Sequence, residues 1–348
     1  MSSAGSSNSE YVTARVSARR AKLYDEEDYR RLLRQSPAEI ARDMEEGAYE
    51  AEMNALGARF SGVDLIEFAL NRNLAAEFSA ILRWAEGPLY DLIARYLRKF
   101  DAWNVKTLLR GAYSDTEPDQ IRADLIRAGE LRDDRLDRLA EAGGVEEVVE
   151  GLADTRFGRP LADALSEFDT SGILVPLENA VDRAHYERLL ENLSGGPELS
   201  EYREFLQAEI DFRNAINAFR LARSGADVDP AEYYIAGGAL FTAADLQRLA
   251  GSPEELAAAI RESRYGDDLS DALDAVESAD SLVEFERALD AALLEYARSL
   301  GTVYPLSVTP VVSYVLAKER EVDNIRAIAR GKEAGLSADE IERELVIL

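Results

Sequence analysis

The chain has 348 residues, and its 40 Lys+Arg against 67 Asp+Glu give a formal net charge of −27, which argues against direct binding to nucleic acid or to an anionic membrane surface, since both are polyanions. That length suffices for two or three compact units, each with its own core. With one histidine and no cysteine, the chain carries no disulfide, no thiol nucleophile, no thiolate metal site, and no histidine triad or two-histidine metal site of its own.

Lysine occurs only as Lys22, Lys99, Lys106, Lys318 and Lys332; every other basic residue is arginine, and the acids are spread along the whole chain. This composition fits adaptation to molar salt, where the Debye length falls to about 3 Å and a densely carboxylated surface repels itself little. A dedicated acidic docking face is the alternative.

In chain order, residues 1–10 are Ser/Gly-rich without an apolar core, which predicts a mobile tail and no signal peptide. Tyr11, Val12, Arg15, Val16, Arg19 and Leu23 then form a helical stripe, and Arg15, Arg19, Arg20 and Lys22 make a basic island in an acidic chain. This arm, residues 1–35 with the tail, is either clamped on the protein's own acidic body or offers Arg15, Arg19 and Arg20 as an interface to a partner. Beyond it, apolar residues fall at i, i+3, i+4 and i+7 nearly everywhere, as in Leu89, Leu92, Ile93, Tyr96, Leu97, Phe100 and Trp103, or Tyr202, Phe205, Leu206, Ile210, Ile216 and Phe219. No strand alternation or Asn-Gly hairpin signal accompanies them, and Gly87-Pro88, Gly143-Gly144, Gly196-Pro197 and Gly237-Gly238 punctuate helices. The expected fold class is all-α. Residues 299–317 are uncharged, yet Gly301, Pro305, Pro310 and several hydroxyls make them a poor membrane span, which needs about 20 mostly apolar residues; they read as a buried helix with a proline-bearing entry.

The informative feature is an internal repeat. Asp101-x-x-Asn104-x5-Arg110, Asp211-x-x-Asn214-x5-Arg220 and Glu321-x-x-Asn324-x5-Arg330 share one pattern at even intervals. Glu67-x-Ala-Leu-Asn71, Glu178-x-Ala-Val-Asp182 and Glu286-x-Ala-Leu-Asp290 recur in step with it. Ser36-Pro37 leads to Tyr49 as Ser252-Pro253 leads to Tyr265, and Arg156-Phe157-Gly158 takes the place of Arg264-Tyr265-Gly266. Three helical units are therefore expected at 36–140, 141–250 and 251–348, packed with pseudo-threefold symmetry. Ser-Pro suits a helix start, because proline in the first turn gives up a donor that had no partner.

Asp101 and Asn104 share a helix face, whereas Arg110 points elsewhere at 100° per residue, so the three do not converge on one catalytic point. The structural expectation is that each Asn satisfies polar groups where helices cross, while acid and Arg tie neighbouring helices or units together. A catalytic site in each copy is the weaker alternative. His185 is expected at the surface or partly packed. No G-x-x-x-x-G-K-[ST] and no G-x-G-x-x-G behind a strand is present, so nothing is expected to cradle phosphates. Trp84 and Trp103 are expected in the core or an interface, not in a cofactor box.

Tyr11...Arg15-Val16-x-Ala18-Arg19, Asn104-Val105-Lys106-Thr107-Leu108-Leu109-Arg110 and Lys318-Glu319-x-Glu321-x-x-Asn324-Ile325-Arg326-x-Ile328-x-x-Gly331-Lys332 resemble the N-terminal helix, first-copy signature and C-terminal signature of the family formed by the C subunit of archaeal/vacuolar-type ATP synthases and its eukaryotic counterpart, the d subunit. The match spans nearly the whole chain; the middle copy, with Phe212-Arg213-Asn214, is more diverged. The resemblance implies a three-lobed helical funnel between the central-shaft subunits (D and F type) and the membrane proteolipid ring, peripheral on the cytoplasmic face, transmitting torque without an active site or cofactor. A helical-repeat scaffold of another assembly is the alternative, and a metal-dependent all-α enzyme a further one.

Overall fold

The computed structural model describes residues 7–191, 193, 197–224, 233–249, 252–266, 273–274, 282–343 and 345–346, and among them there is no strand. The chain divides into two compact units. One runs to His185 and resumes at Ala317; the other spans Tyr186–Leu316.

The first unit opens with α1 (Ser9–Arg20), whose Val12 and Val16 lie one turn apart and are buried. They face α5 (Gly62–Trp84), which carries a buried stripe through Ile66, Leu70, Leu74, Phe78 and Ile81. Arg15 and Arg19 stack their guanidinium groups over the Trp84 ring at 4.6 and 5.0 Å, a cation–π arrangement, and Arg19 also pairs with Glu77. Asn8 donates from Nδ2 to the Trp84 carbonyl at 2.7 Å and accepts from the Glu86 N–H at 3.0 Å. Arg15 and Arg19 of the basic island are thus spent on the protein's own surface.

Short helices α2 (Glu26–Leu32), α3 (Pro37–Glu45) and α4 (Glu50–Leu56) lie between α1 and α5. Ser36 caps α3 as a capping box: it accepts from the Glu39 N–H, Glu39 accepts back from the Ser36 N–H at 2.8 Å, and Pro37 stands in the first turn. Helices α6 (Pro88–Leu97) and α7 (Lys99–Tyr113) follow. The apolar period predicts one helix here; instead it tightens at Arg98 (φ −60°, ψ −12°), where the Asp101 N–H bonds the Arg98 carbonyl three residues back at 3.0 Å. Beyond α8 (Pro118–Asp124), α9 (Asp133–Leu139), α10 (Val145–Gly151) and α11 (Gly158–Ser171) comes α12 (Val175–Leu189). Their shared core joins Val105, Leu108 and Leu109 to Leu136, Val148, Phe157, Leu161, Leu177 and Val181.

In the second unit the dominant pairing is α13 (Pro197–Ser224) with α16 (Leu282–Val303), flanked by α14 (Ala243–Leu249) and α15 (Pro253–Arg261). Ser252 caps α15 as Ser36 caps α3, accepting from the Glu255 N–H at 3.2 Å. Helix α17 (Thr309–Glu333) begins in this unit and ends in the first, followed by α18 (Ala338–Glu342). Of residues 299–317, read as a buried helix with a proline-bearing entry, the part from Thr309 is the start of α17, with Pro310 in its first turn where no donor is needed, whereas α16 stops at Val303 and a turn holds Pro305. Val303 and Leu306 are 64% and 52% exposed. Among the described residues no helix is long and apolar enough to cross a membrane.

Replacing Ser36 by Ala removes one half of the α3 capping box and is expected to cost about 1 kcal/mol, read as a lowered urea midpoint in molar salt with an unchanged slope.

Candidate functional site: a repeated polar seat

Each long helix of the repeat presents one Asn to a returning stretch of main chain about 22 residues later. Asn104 on α7 donates from Nδ2 to the Ile126 carbonyl and accepts the Ile126 N–H at Oδ1, both at 2.8 Å. Asn214 on α13 does the same to Ile235, at 2.9 and 2.8 Å, and Asn324 on α17 to Val346, at 2.8 and 3.0 Å. All three Asn are buried. A carboxamide suits this because it offers a donor and an acceptor side by side, matching the N–H and C=O of one residue. A loop whose backbone would otherwise be buried unpaired is thereby seated on a helix face.

The acid three residues earlier holds the same loop a few residues on. Asp101 accepts from the N–H of Leu131 at 2.8 Å and of Glu130 at 3.1 Å. Asp211 accepts from Leu240 at 3.0 Å and Ala239 at 2.9 Å. Burial pushes both carboxyls above the usual aspartate range, and the backbone donors pull the other way. Each loop reads Ile-x-x-Gly-x-Leu (Ile126 to Leu131, Ile235 to Leu240), and a Cβ built on Gly129 or Gly238 would collide with the carboxylate of Asp101 or Asp211. The sequence reading missed this loop motif, although its identical spacing after the repeated Asn was a usable signal.

Residues from the start of another copy contribute to each seat. Tyr265 donates its hydroxyl to Asp211 at 3.2 Å, and its ring lies edge-on to Phe212 at 5.6 Å. Arg156 reaches Asp101 at 3.4 Å and Glu130 at 3.0 Å. At the third seat Glu321 accepts from the Tyr49 hydroxyl at 2.5 Å, from Lys318 Nζ at 2.6 Å and from the Tyr24 N–H at 2.6 Å. The landmarks Tyr49 and Tyr265 thus have a role that their spacing alone did not reveal.

The repeated arginines and glutamates also meet. Arg110 bonds Glu178 at 2.6 Å. Arg330 forks onto Glu67 at 2.9 and 2.5 Å and reaches Asp64 at 3.1 Å, which raises its pKa. Glu286 is half-buried, and the Arg220 side chain lies outside the described residues. Beside these pairs, Lys106 bonds Asp182 at 2.7 Å, and Arg326 bonds Asn71 at 2.8 Å. Arg110, Arg326 and Arg330 line a cleft of about 500 Å³ with Asp64, Glu67 and Asp124, and Trp103 stands at it. Three guanidinium groups against three carboxylates leave no net positive field to attract a phosphate.

His185 departs from the expected surface or partly packed position: it is 4% exposed. Burial brings its pKa down to about 3, against the pull of Asp182 and with the push of Arg156, Lys99 and Lys106. Among the described residues no group of three or more Asp, Glu or His is placed to hold a metal ion.

Asn104→Ala and Asn214→Ala each strand a buried N–H and C=O and are expected to cost about 3 kcal/mol; Gly129→Ala crowds a carboxylate and is expected to cost about 2 kcal/mol, all measured by urea unfolding in molar salt. For His185 the sign follows from a folded pKa below the unfolded one. The unfolded chain takes up a proton below about pH 6.5 while the folded chain does not, so stability present above that pH is lost as pH falls toward 3. Between pH 7 and 5.5 the natural chain is expected to lose about 1 kcal/mol more than His185→Gln, with no titration step of the single imidazole resonance over that range.

The model of the ATP synthase (C/AC39) subunit family matches residues 12–344. The chain is 66% identical over 346 residues to the C subunit of the A-type ATP synthase of Haloquadratum walsbyi, covering 99% of this chain and 100% of the relative. It is 66% identical over 348 residues to that of Haloferax volcanii, covering 100% of each. The same-named protein of Methanosarcina mazei is 36% identical over 353 residues, covering 99% of this chain and 94% of its own. Two of these relatives come from haloarchaea, in keeping with the acid-rich, lysine-poor composition, and the chain belongs to the family of the ATP synthase (C/AC39) subunit.

Proposed function

We propose that the chain is the non-catalytic central-stalk subunit of an A-type ATP synthase, linking the shaft subunits of D and F type to the membrane proteolipid ring and passing torque between them. The observation that carries this is the family match from residue 12 to residue 344. The full-length relatives are named as the C subunit of A-type ATP synthases. The part is peripheral, on the cytoplasmic face of the membrane complex, and has no active site of its own.

A torque-bearing collar must resist shear, and three kinds of contact support that role. Each repeated Asn pins a loop at two points. The acid three residues before it pins the same loop, or the start of the chain, at further points. Arg110 bonds the Glu178 of the following copy and Arg330 the Glu67 of the first, two partly exposed ties between copies. Tight packing of this kind transmits strain instead of absorbing it. On this proposal the units 36–140, 141–250 and 251–348 are three lobes of a pseudo-threefold funnel.

Mixing the purified chain with shaft subunits in molar KCl, without nucleotide, is expected to give one co-eluting complex on gel filtration. Separate elution at every salt concentration from roughly 0.2 M to roughly 3 M, a range of about one decade around physiological and halophilic ionic strengths, would overturn the assignment and favour a scaffold of another assembly.

A further inference from the structure

We propose that a second cavity of the first unit, beside Arg72, binds one carboxylate group carried on an apolar body.

The cavity holds about 420 Å³ and lies where α5 meets the end of α4 and the short helix α8. Phe68, Arg72 and Ala75, spaced four and three apart, lay one face of α5 along it. Leu56 at the end of α4 and Leu125 just after α8 add to its wall. Leu56, Phe68 and Leu125 are buried, and the Phe60 ring meets Phe68 edge-on at 4.6 Å. Together these side chains make an apolar floor.

The charge on the wall is unusual for a chain with a formal charge of −27. The guanidinium groups of Arg59, Arg72, Arg122 and Arg127 share it with a single carboxylate, that of Asp119. Arg59 and Arg122 both bond Asp119, at 2.8 and 3.0 Å. Arg122 also pairs with Glu141, and Arg127 with Asp133 at 3.3 Å and Asp137 at 2.5 Å. Those three acids stand outside the cavity lining and are largely exposed, so molar salt weakens their hold on the arginines. Arg72 differs: it is exposed, and among the described residues no carboxylate pairs with it.

That arithmetic sets the ligand class. One uncommitted guanidinium beside an apolar floor matches one carboxylate, which its planar fork can take at two points, with the floor covering the body that bears it. A phosphate would bring about two charges against Asp119, with no lysine on the wall to offset them. A pair formed against an apolar wall is screened less than one on open surface, so such binding persists in brine. An acidic side chain flanked by leucine or phenylalanine in a partner's segment has this chemistry, and so does a free aryl or alkyl carboxylic acid. The site does not depend on the stalk assignment.

The test is an NMR titration of the full chain, methyl-labelled at leucine and alanine, in molar KCl. The probes are the end-blocked peptide acetyl-Leu-Glu-Leu-Phe-amide and free hydrocinnamate, with acetate and inorganic phosphate as controls. At least one probe is expected to shift the methyl resonances of Leu56, Ala75 and Leu125 with a Kd of roughly 1 mM, and both controls to bind at least ~10-fold more weakly. Arg72→Met keeps the apolar stem without the charge and is expected to weaken binding by ~10-fold or more. Ala75→Leu fills the cavity and is expected to weaken it by a similar factor. Tighter binding of the peptide assigns the site to a partner's segment, and tighter binding of hydrocinnamate assigns it to a small acid. Acetate or phosphate binding as well as the probes, binding unaltered in Arg72→Met, or no shift of those methyls with either probe would each overturn the proposal.

Discussion

A main chain that turns back into an all-helical interior brings amide groups with no ladder to join, and every such N–H and C=O has to be paired or its burial costs stability. In this chain one Asn per long helix takes both groups of a single residue, and an acid one turn earlier takes further N–H groups of the same loop at two of the three positions. The glycine between those two contacts follows as a consequence: the carboxylate occupies the space that a side chain there would need. Asn, acid and glycine form one solution, and altering any of them disturbs the others.

The ionic contacts fall into two classes with different behaviour in salt. Pairs such as Arg330 with Glu67 and Asp64, or Arg110 with Glu178, are partly exposed, and exposed pairs contribute little and are screened in molar salt. Asp101, Asp211, and Lys318 with Glu321 are buried, so their interactions persist in brine. In high salt, a protein with a formal charge of −27 can then rely on buried polar seats for geometry and leave its surface acids to keep it in solution. For the torque-passing part proposed above, that division matters: stiffness has to come from contacts that the solvent does not dissolve.

Much of this is legible in the linear chain. The 3.6-residue period, the Ser-Pro helix starts and the triplicated Asp/Glu-x-x-Asn pattern depend on spacing along one helix, and spacing is written in the chain itself. So is the acid-rich composition. What the Asn residues hold, however, lies some 22 residues away, and only the folded chain says which carbonyl that is.

The same division separates what agreed from what did not. Periodicity runs across Arg98 without a break, yet the helix tightens there; nothing in an apolar pattern records a one-residue change of pitch. His185 reads as a surface or partly packed residue on an amphipathic helix and is buried, within the field of Arg156, Lys99 and Lys106, which lie far from it in the sequence. Residues 299–317 read as a buried helix with a proline-bearing entry, which holds from Thr309 onward with Pro310 in the first turn, while the stretch before it turns at Pro305 with Val303 and Leu306 exposed. The sequence by itself determined helix class, repeat and caps, which are local; tertiary structure alone decided which polar groups meet, since that depends on loops and chain ends brought together across about 20 to nearly 300 residues.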